Sequence, residues 1–373
     1  MRSKEIKYYF LVVFCSLLYQ KSTGQNTYLE GFDIGPFNVG FKYEKIVDYS
    51  RAYGDGYRPV QLFIWYPSKD TSIKIPYSQY FLYTHPFDSL QYSDYATQEG
   101  FIIGMLLLEI EIREIDANKD EVLEAFKSLK TFAQEGATPA DGMYPLVLMT
   151  SGGNTQGQLH SVIAEFLASN GYVVVVFPSL GNQKGERWPF DHIGINLQMD
   201  DMAFAINHLS GNAMIDIDNI CLASWSVGGV SQAIYTMKNP NIDMFISLDS
   251  GLGRVYGIEM LKESPYFDYS KVKIPYLHLT GRQPEMYQVE RSNEFYDSIA
   301  SQVKYSLFIN DFAHQHFASQ LGLLPTLVDG SNDKTILDSY IQMSLLTLTF
   351  MNAFLKEEND SRESWLEMIP NYK

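Results

Sequence analysis

The sequence predicts an α/β fold: a mostly parallel central sheet with helices on both faces and an inserted segment at about residues 67–143. Three observations carry this expectation. From residue 145 onward, short apolar runs alternate with amphipathic stretches, the rhythm of strand–helix–strand units whose crossover helices cover a parallel sheet. YVVVVFP, residues 172–178, is a continuous β-branched run of the kind found in strands buried on both faces. The run NICLA, residues 219–223, leads into SWSVGG and then an apolar helical pattern, so a strand, a tight turn and a helix follow one another.

Taken in order, the chain starts with MRSKEIKYYFLVVFCSLLYQKSTG. Arg2, Lys4 and Lys7 precede a twelve-residue apolar run, Tyr8 to Tyr19, and the small residues Ser22, Thr23 and Gly24 follow it. This is the pattern of a secretory signal peptide, residues 1–24, with cleavage expected near Gly24. The run is too short to span a bilayer comfortably. Val12, Val13 and Phe14 before Cys15 are not the small residues that lipoprotein processing requires. An exported chain of residues 25–373 is expected, periplasmic or extracellular, forming one domain without stable membrane insertion.

That mature chain carries 24 basic and 43 acidic residues, a net charge of −19. Such a surface repels DNA, RNA and anionic lipid, so no nucleic-acid partner is expected. Cys221 is then the single cysteine, which excludes an internal disulfide. Its apolar surroundings mark it as a small buried hydrophobe.

Residues 38–48 and 58–66 read as two strands joined by the turn-rich AYGDGY. The Tyr-rich stretch 67–143 breaks the rhythm and contains a helical pattern over about 119–134. Within it, Asp116, Asn118 and Asp120 imitate the start of a calcium loop, but Glu121 stands where glycine is needed and Lys127 where glutamate is needed. PLVLMT (145–150) is a strand, followed by a helix with Leu159, Val162, Ile163, Phe166 and Leu167 on one face. After the 172–178 strand come a helix at about 194–209 and the strand 219–223. Further strands fit MFISL (244–248), PYLHLT (275–280) and YSLFI (305–309), and a long apolar helix at about 334–356 closes the pattern.

Chemistry concentrates at SWSVGG. A serine at the tip of so tight a turn needs small neighbours, because larger side chains would meet the backbone. Gly228 satisfies this after Ser226, and Ser224 is small enough before it. Such short motifs also arise by chance at strand ends. Serine alone is a weak nucleophile and needs a base, which itself needs an orienting acid. Downstream stand His278, His314 and His316. His278 lies within PYLHLT and reads as a core residue, whereas His314 and His316 lie in NDFAHQHFAS after a strand, where such sheets place chemistry. Two histidines two apart could also hold a metal, but no third ligand accompanies them. For the acid, Asp249 directly follows the strand MFISL, and Glu285 follows PYLHLT. The order Ser226, Asp249, His314 is the one expected for this strand–turn–helix arrangement. In TSGGNTQGQ, residues 150–158, Gly152 and Gly153 leave backbone N–H groups open to a substrate oxygen, alongside the N–H of Val227.

These segments resemble the α/β-hydrolase superfamily, and within it the plasma-type platelet-activating-factor acetylhydrolases and dienelactone-hydrolase-like esterases. RPVQLFIWYPSK resembles that family's early strand, PLVLMTSGGNTQGQ its oxyanion-loop segment, SWSVGG its nucleophile elbow, SLDSGLG its acid position 23 residues after the serine, and AHQHF its histidine loop. The resemblance implies Ser226 as nucleophile, Asp249 as acid, His314 as base, and the N–H groups of Gly153 and Val227 as oxyanion donors. His316 falls at a non-catalytic position. Ser224 departs from the family's elbow glycine and Ser151 from its oxyanion-loop histidine. Trp225 also resembles secreted polyester hydrolases, which place the acid after the following strand, where this chain offers Glu285. Together with the signal-peptide pattern of residues 1–24, the resemblance implies an exported serine esterase that needs no metal or organic cofactor and acts on a small-molecule or glycan-borne ester of short acyl length. A carbohydrate or polyester esterase of the same fold, and a non-catalytic binding protein, are the alternatives.

Overall fold

The computed structural model describes residues 34–71, 74–83, 118–183, 185–282, 289–319 and 335–369. The expected signal segment, Glu285 and residues 84–117 of the insertion lie outside them. Nine strands form one sheet: β1 (Asn38–Tyr53), β2 (Gly56–Ser68), β3 (Ala133–Glu135), β4 (Tyr144–Thr150), β5 (Val173–Phe177), β6 (Ile215–Trp225), β7 (Met244–Leu248), β8 (Tyr276–Arg282) and β9 (Lys304–Ala313). Their order across the sheet is β3-β1-β2-β5-β4-β6-β7-β8-β9. β2 runs antiparallel to both neighbours, β1 and β5, and every other pair is parallel.

The helices are α1 (Lys119–Ser128), α2 (Ser161–Ser169), α3 (His192–Leu209), α4 (Gly228–Lys238), α5 (Val255–Lys262), α6 (Glu294–Ser298), α7 (Thr335–Phe354) and α8 (Asn359–Met368). All five residues of β5 are buried, and their alternation explains why. Val174 and Val176 pack with α2 and α7, while Val173 and Val175 pack with α3 and α4 on the opposite face. A strand covered on both sides has no polar face to show, hence the unbroken valine run.

The inserted segment departs from expectation. Its helix stops at Ser128 rather than near residue 134. From Leu129 the backbone is drawn to the sheet edge: Tyr77 N donates to Leu129 O at 2.8 Å, and residues 133–135 pair with β1 as β3. Buried Glu165 on α2 completes the tether. It accepts from Phe132 N at 2.6 Å and from Tyr80 Oη at 2.6 Å, and Tyr80 Oη in turn accepts from Trp65 Nε1 at 2.9 Å. A three-residue edge strand fixed by such long-range contacts leaves no local periodicity to read.

β4 is followed in sequence by β5 on one side, and the chain then returns through α3 to β6 on the other. The reversal falls between β4 and β6, and sheets of this kind place their ligands at the carboxyl ends of the strands there. No helix among the described residues is long and apolar enough to cross a membrane.

Candidate active site

β6 ends at Trp225 and α4 begins at Gly228, so Ser226 sits on a turn with almost no slack. Its φ is +58°, a left-handed conformation uncommon outside glycine, and serine persists there because the surroundings over-determine it. Ser226 O accepts from Gly229 N at 3.2 Å and Gly251 N at 2.7 Å. A Cβ on Gly228 would lie 2.7 Å from Thr150 Oγ1 and 2.8 Å from Ser151 O, which excludes any side chain there. Ser224 does not face that constraint. It is an ordinary strand residue whose buried Oγ lies 3.4 Å from Ile246 O, so the departure from glycine leaves the turn intact.

From Ser226 a chain of polar contacts runs inward. Ser226 Oγ lies 3.2 Å from His314 Nε2, and His314 Nδ1 lies 2.6 Å from Asp249 Oδ2. His314 opens a short 3-10 turn right after β9. Asp249 follows β7 with φ +43°, held by its N–H donating to Leu279 O at 2.6 Å. Thr280 Oγ1 donates to Asp249 Oδ1 at 2.8 Å, and the guanidinium of Arg254 donates to Oδ2 at 2.6 Å. Burial alone would push the Asp249 carboxyl up. The hydrogen bond and charge of His314, the charge of Arg254 and the Thr280 hydrogen bond outweigh that and bring it down to about 2.

Beside Ser226, the loop after β4 is pinned by its carbonyls. Ser151 O accepts from Gln198 Nε2 at 3.0 Å, and Gly152 O from Ser179 Oγ at 2.9 Å and Thr155 Oγ1 at 2.5 Å. In a planar trans peptide the N–H points opposite its C=O. Gly153 N–H therefore points away from Ser179 and Thr155, and Val227 N–H points away from the donors on Ser226 O. Neither N–H has a hydrogen-bond partner among the described residues. A Cβ on Gly152 would lie 3.0 Å from Ser226 Cβ, so this loop borders the serine directly.

No protein-family model matches the sequence, and no curated protein is similar to it at the sequence level. Among solved structures, a ferulic acid esterase from Streptomyces cinnamoneus superposes with a TM-score of 0.60 at 18% identity, over 90% of this chain and 94% of that one. The fold is that of the α/β-hydrolases.

Trp225 stacks on the His314 ring, with centroids 5.0 Å apart and planes at 23°, and its Nε1 donates to His314 O at 2.9 Å. Behind the indole lies His160, wholly buried, its ring edge-on at 5.7 Å. Burial holds His160 down at about 4, and neither ring nitrogen has a hydrogen-bond partner among the described residues. On the other side of the glycine loop, Phe190 stands 62% exposed. It packs edge-on against buried Trp188 at 5.2 Å, and a Cβ on Gly153 would lie 2.7 Å from its ring. Asn154 fixes this aromatic pair, accepting from Trp188 N at 2.7 Å and donating to Trp188 O at 3.2 Å. Arg58 anchors the start of the loop after β5, which carries Trp188 and Phe190, through Leu180 O and Gly181 O while paired with Asp201 at 2.5 Å.

The remaining candidates separate. His316 is buried, and its Nδ1 accepts from Ala313 N at 3.1 Å, which turns it away from Ser226. His278 bonds Ser247 Oγ through Nδ1 at 2.7 Å, and burial pulls it down to about 4, a core histidine. Burial pushes the Cys221 thiol up, so it stays protonated. Arg254, Thr280, Phe190 and His160 were not legible as site residues in the sequence.

Proposed function

We propose that this protein is an exported carboxylic ester hydrolase working through an acyl-enzyme. Ser226 Oγ attacks the ester carbonyl while His314 Nε2 takes its proton, and Asp249 holds the imidazole in the tautomer that makes this possible. The tetrahedral oxyanion forms against the N–H groups of Gly153 and Val227. His314 then protonates the departing alcohol, and water, deprotonated by the same ring, releases the acid. The scheme needs neither metal nor organic cofactor.

One observation carries the reading. The unbroken relay of 3.2 Å and 2.6 Å from Ser226 through His314 to Asp249 starts at a serine held at φ +58°. The motif likeness to platelet-activating-factor acetylhydrolases supports a short acyl group on a small-molecule or glycan-borne ester. The basic, apolar, small-residue sequence of the first 24 residues supports export to the periplasm or beyond.

Labelling with a fluorophosphonate tests the reading. The adduct should map to Ser226 and vanish in Ser226→Ala. An unlabelled, correctly folded protein would favour a ligand-binding role instead.

A further inference from the structure

The carboxylate of Asp249 has a third partner beyond the relay. Arg254 lies five residues on, at the junction of a 3-10 turn and α5, and is only 7% exposed. Its guanidinium donates to the same oxygen, Oδ2, that receives His314 Nδ1–H, each at 2.6 Å. The residue is held in place by its backbone. Arg254 N donates to Gly251 O at 3.0 Å, Val255 N to Glu290 O at 3.0 Å and Ser292 N to Gly253 O at 3.0 Å. A Ser-His-Asp relay does not require this cation, and burying one has a desolvation cost.

We propose that Arg254 is a positioning residue that acts through Asp249: by sharing Oδ2 it partly neutralises the carboxylate, so that His314 stays unprotonated and able to accept the Ser226 proton in more acidic solution. The inference rests on the esterase reading above. Its electrostatic logic is direct. An isolated carboxylate attracts a proton onto the imidazole it touches, whereas an ion pair attracts it much less. Arginine is suited to the task because its charge never titrates.

The other groups facing the carboxylate do not replace this cation. From β8 come Thr280, which is uncharged, and His278, which burial keeps neutral down to about 4. From α5 comes Tyr256, whose hydroxyl burial pushes up, so it stays neutral. Arg291 reaches Thr280 Oγ1 at 3.4 Å and Gly281 O, but it is solvent-exposed and does not touch Asp249. The low value of about 2 at Asp249 reflects Arg254 as well as His314.

The test compares wild type, Arg254→Met, Arg254→Gln and Arg254→Lys by the pH dependence of kcat/KM on p-nitrophenyl acetate. In the uncharged variants the acid limb should move up by about half to one pH unit. Arg254→Lys, which keeps the charge, should restore the limb toward its wild-type position. A purely structural arginine would lower the plateau and leave the limb in place. The same shift should appear in an NMR titration of the His314 ring protons, which needs no turnover. Fluorophosphonate labelling of wild-type Ser226 reports on the esterase reading separately. An unmoved NMR midpoint in a folded uncharged variant, or a Lys variant displaced as far as Met, overturns the proposal. Should neither uncharged variant fold alone, Arg254→Ala with added guanidinium ion decides it: an acid limb that moves down as guanidinium is raised supports the charge, and a limb independent of guanidinium refutes it.

Discussion

The indole of Trp225 lies flat against the imidazole of His314 and at the same time donates from Nε1 to the His314 carbonyl oxygen at 2.9 Å. One side chain thus fixes both the ring plane and the backbone of the proposed base. It does so from the position next to Ser226, so the two reacting groups are positioned by one rigid element.

Two substitutions separate these contributions. Trp225→Phe keeps an aromatic face but loses the hydrogen bond, and should lower kcat by about three- to tenfold. Trp225→Ala loses both and frees the ring, so a fall of roughly a hundredfold is expected. Turnover of p-nitrophenyl acetate measures both. An unchanged kcat in Trp225→Ala would remove the clamp from the account.

The acid can be assigned by activity. Asp249→Ala removes the partner that orients His314 and stabilises its protonated form, and should lower kcat by roughly three to four powers of ten. Glu285→Ala should do far less. The opposite ranking would move the acid to the strand after β7 and make the polyester-hydrolase likeness the better guide.

The same carboxylate makes a stability prediction. Its native value of about 2 lies below the ordinary 3.8, so the ionised form favours the folded state. That contribution is complete above about pH 4 and is lost as pH falls through about 2. It is on the order of 2 kcal/mol. Urea denaturation of wild type and Asp249→Asn across this range should show the gap between them closing below pH 4. A gap independent of pH would contradict the assignment.

Much of this was legible because it is local. The valine run of β5 announces burial on both faces, and the spacing of Ser226, Gly228 and the following helix announces a tight turn. Asp249 and His314 could be placed at strand ends by pattern alone. What stayed hidden depends on chain reversals. Arg254 reaches Asp249 only because a 3-10 turn folds it back. Trp225 meets His314 only because β9 runs on through Ala313, past the residue 309 at which its apolar run ends. β3 exists only because β1 offers it an edge.

The two histidines of AHQHF divide by where their nitrogens go. His314 faces Ser226 and Asp249, while His316 turns inward to accept from Ala313 N. His314→Ala should abolish measurable turnover without unfolding the protein. His316→Ala should cost at most roughly tenfold in kcat but lower stability by about 2 to 4 kcal/mol, since a fully buried ring and its hydrogen bond are lost. Kinetics and thermal melts on both variants check this. Inactivity confined to the His316 variant would mean that the wrong imidazole has been assigned.

Phe190 tests the substrate side of the proposal. A large apolar ring that is 62% exposed contributes little to folding, so its removal should leave the melting temperature nearly unchanged. The ring lies against Gly153, whose N–H is the proposed oxyanion donor, so an acyl group that follows the glycine loop past Gly153 would meet it. Covering the ring would stabilise binding by about 1 to 2 kcal/mol. Phe190→Ala should therefore raise KM for a p-nitrophenyl ester of an apolar acid by roughly five- to thirtyfold, with KM for the acetate ester much less affected because the methyl group is too small to cover the ring. The split between the two esters is the informative readout. Equal losses on both would mean that Phe190 supports the loop rather than the ligand.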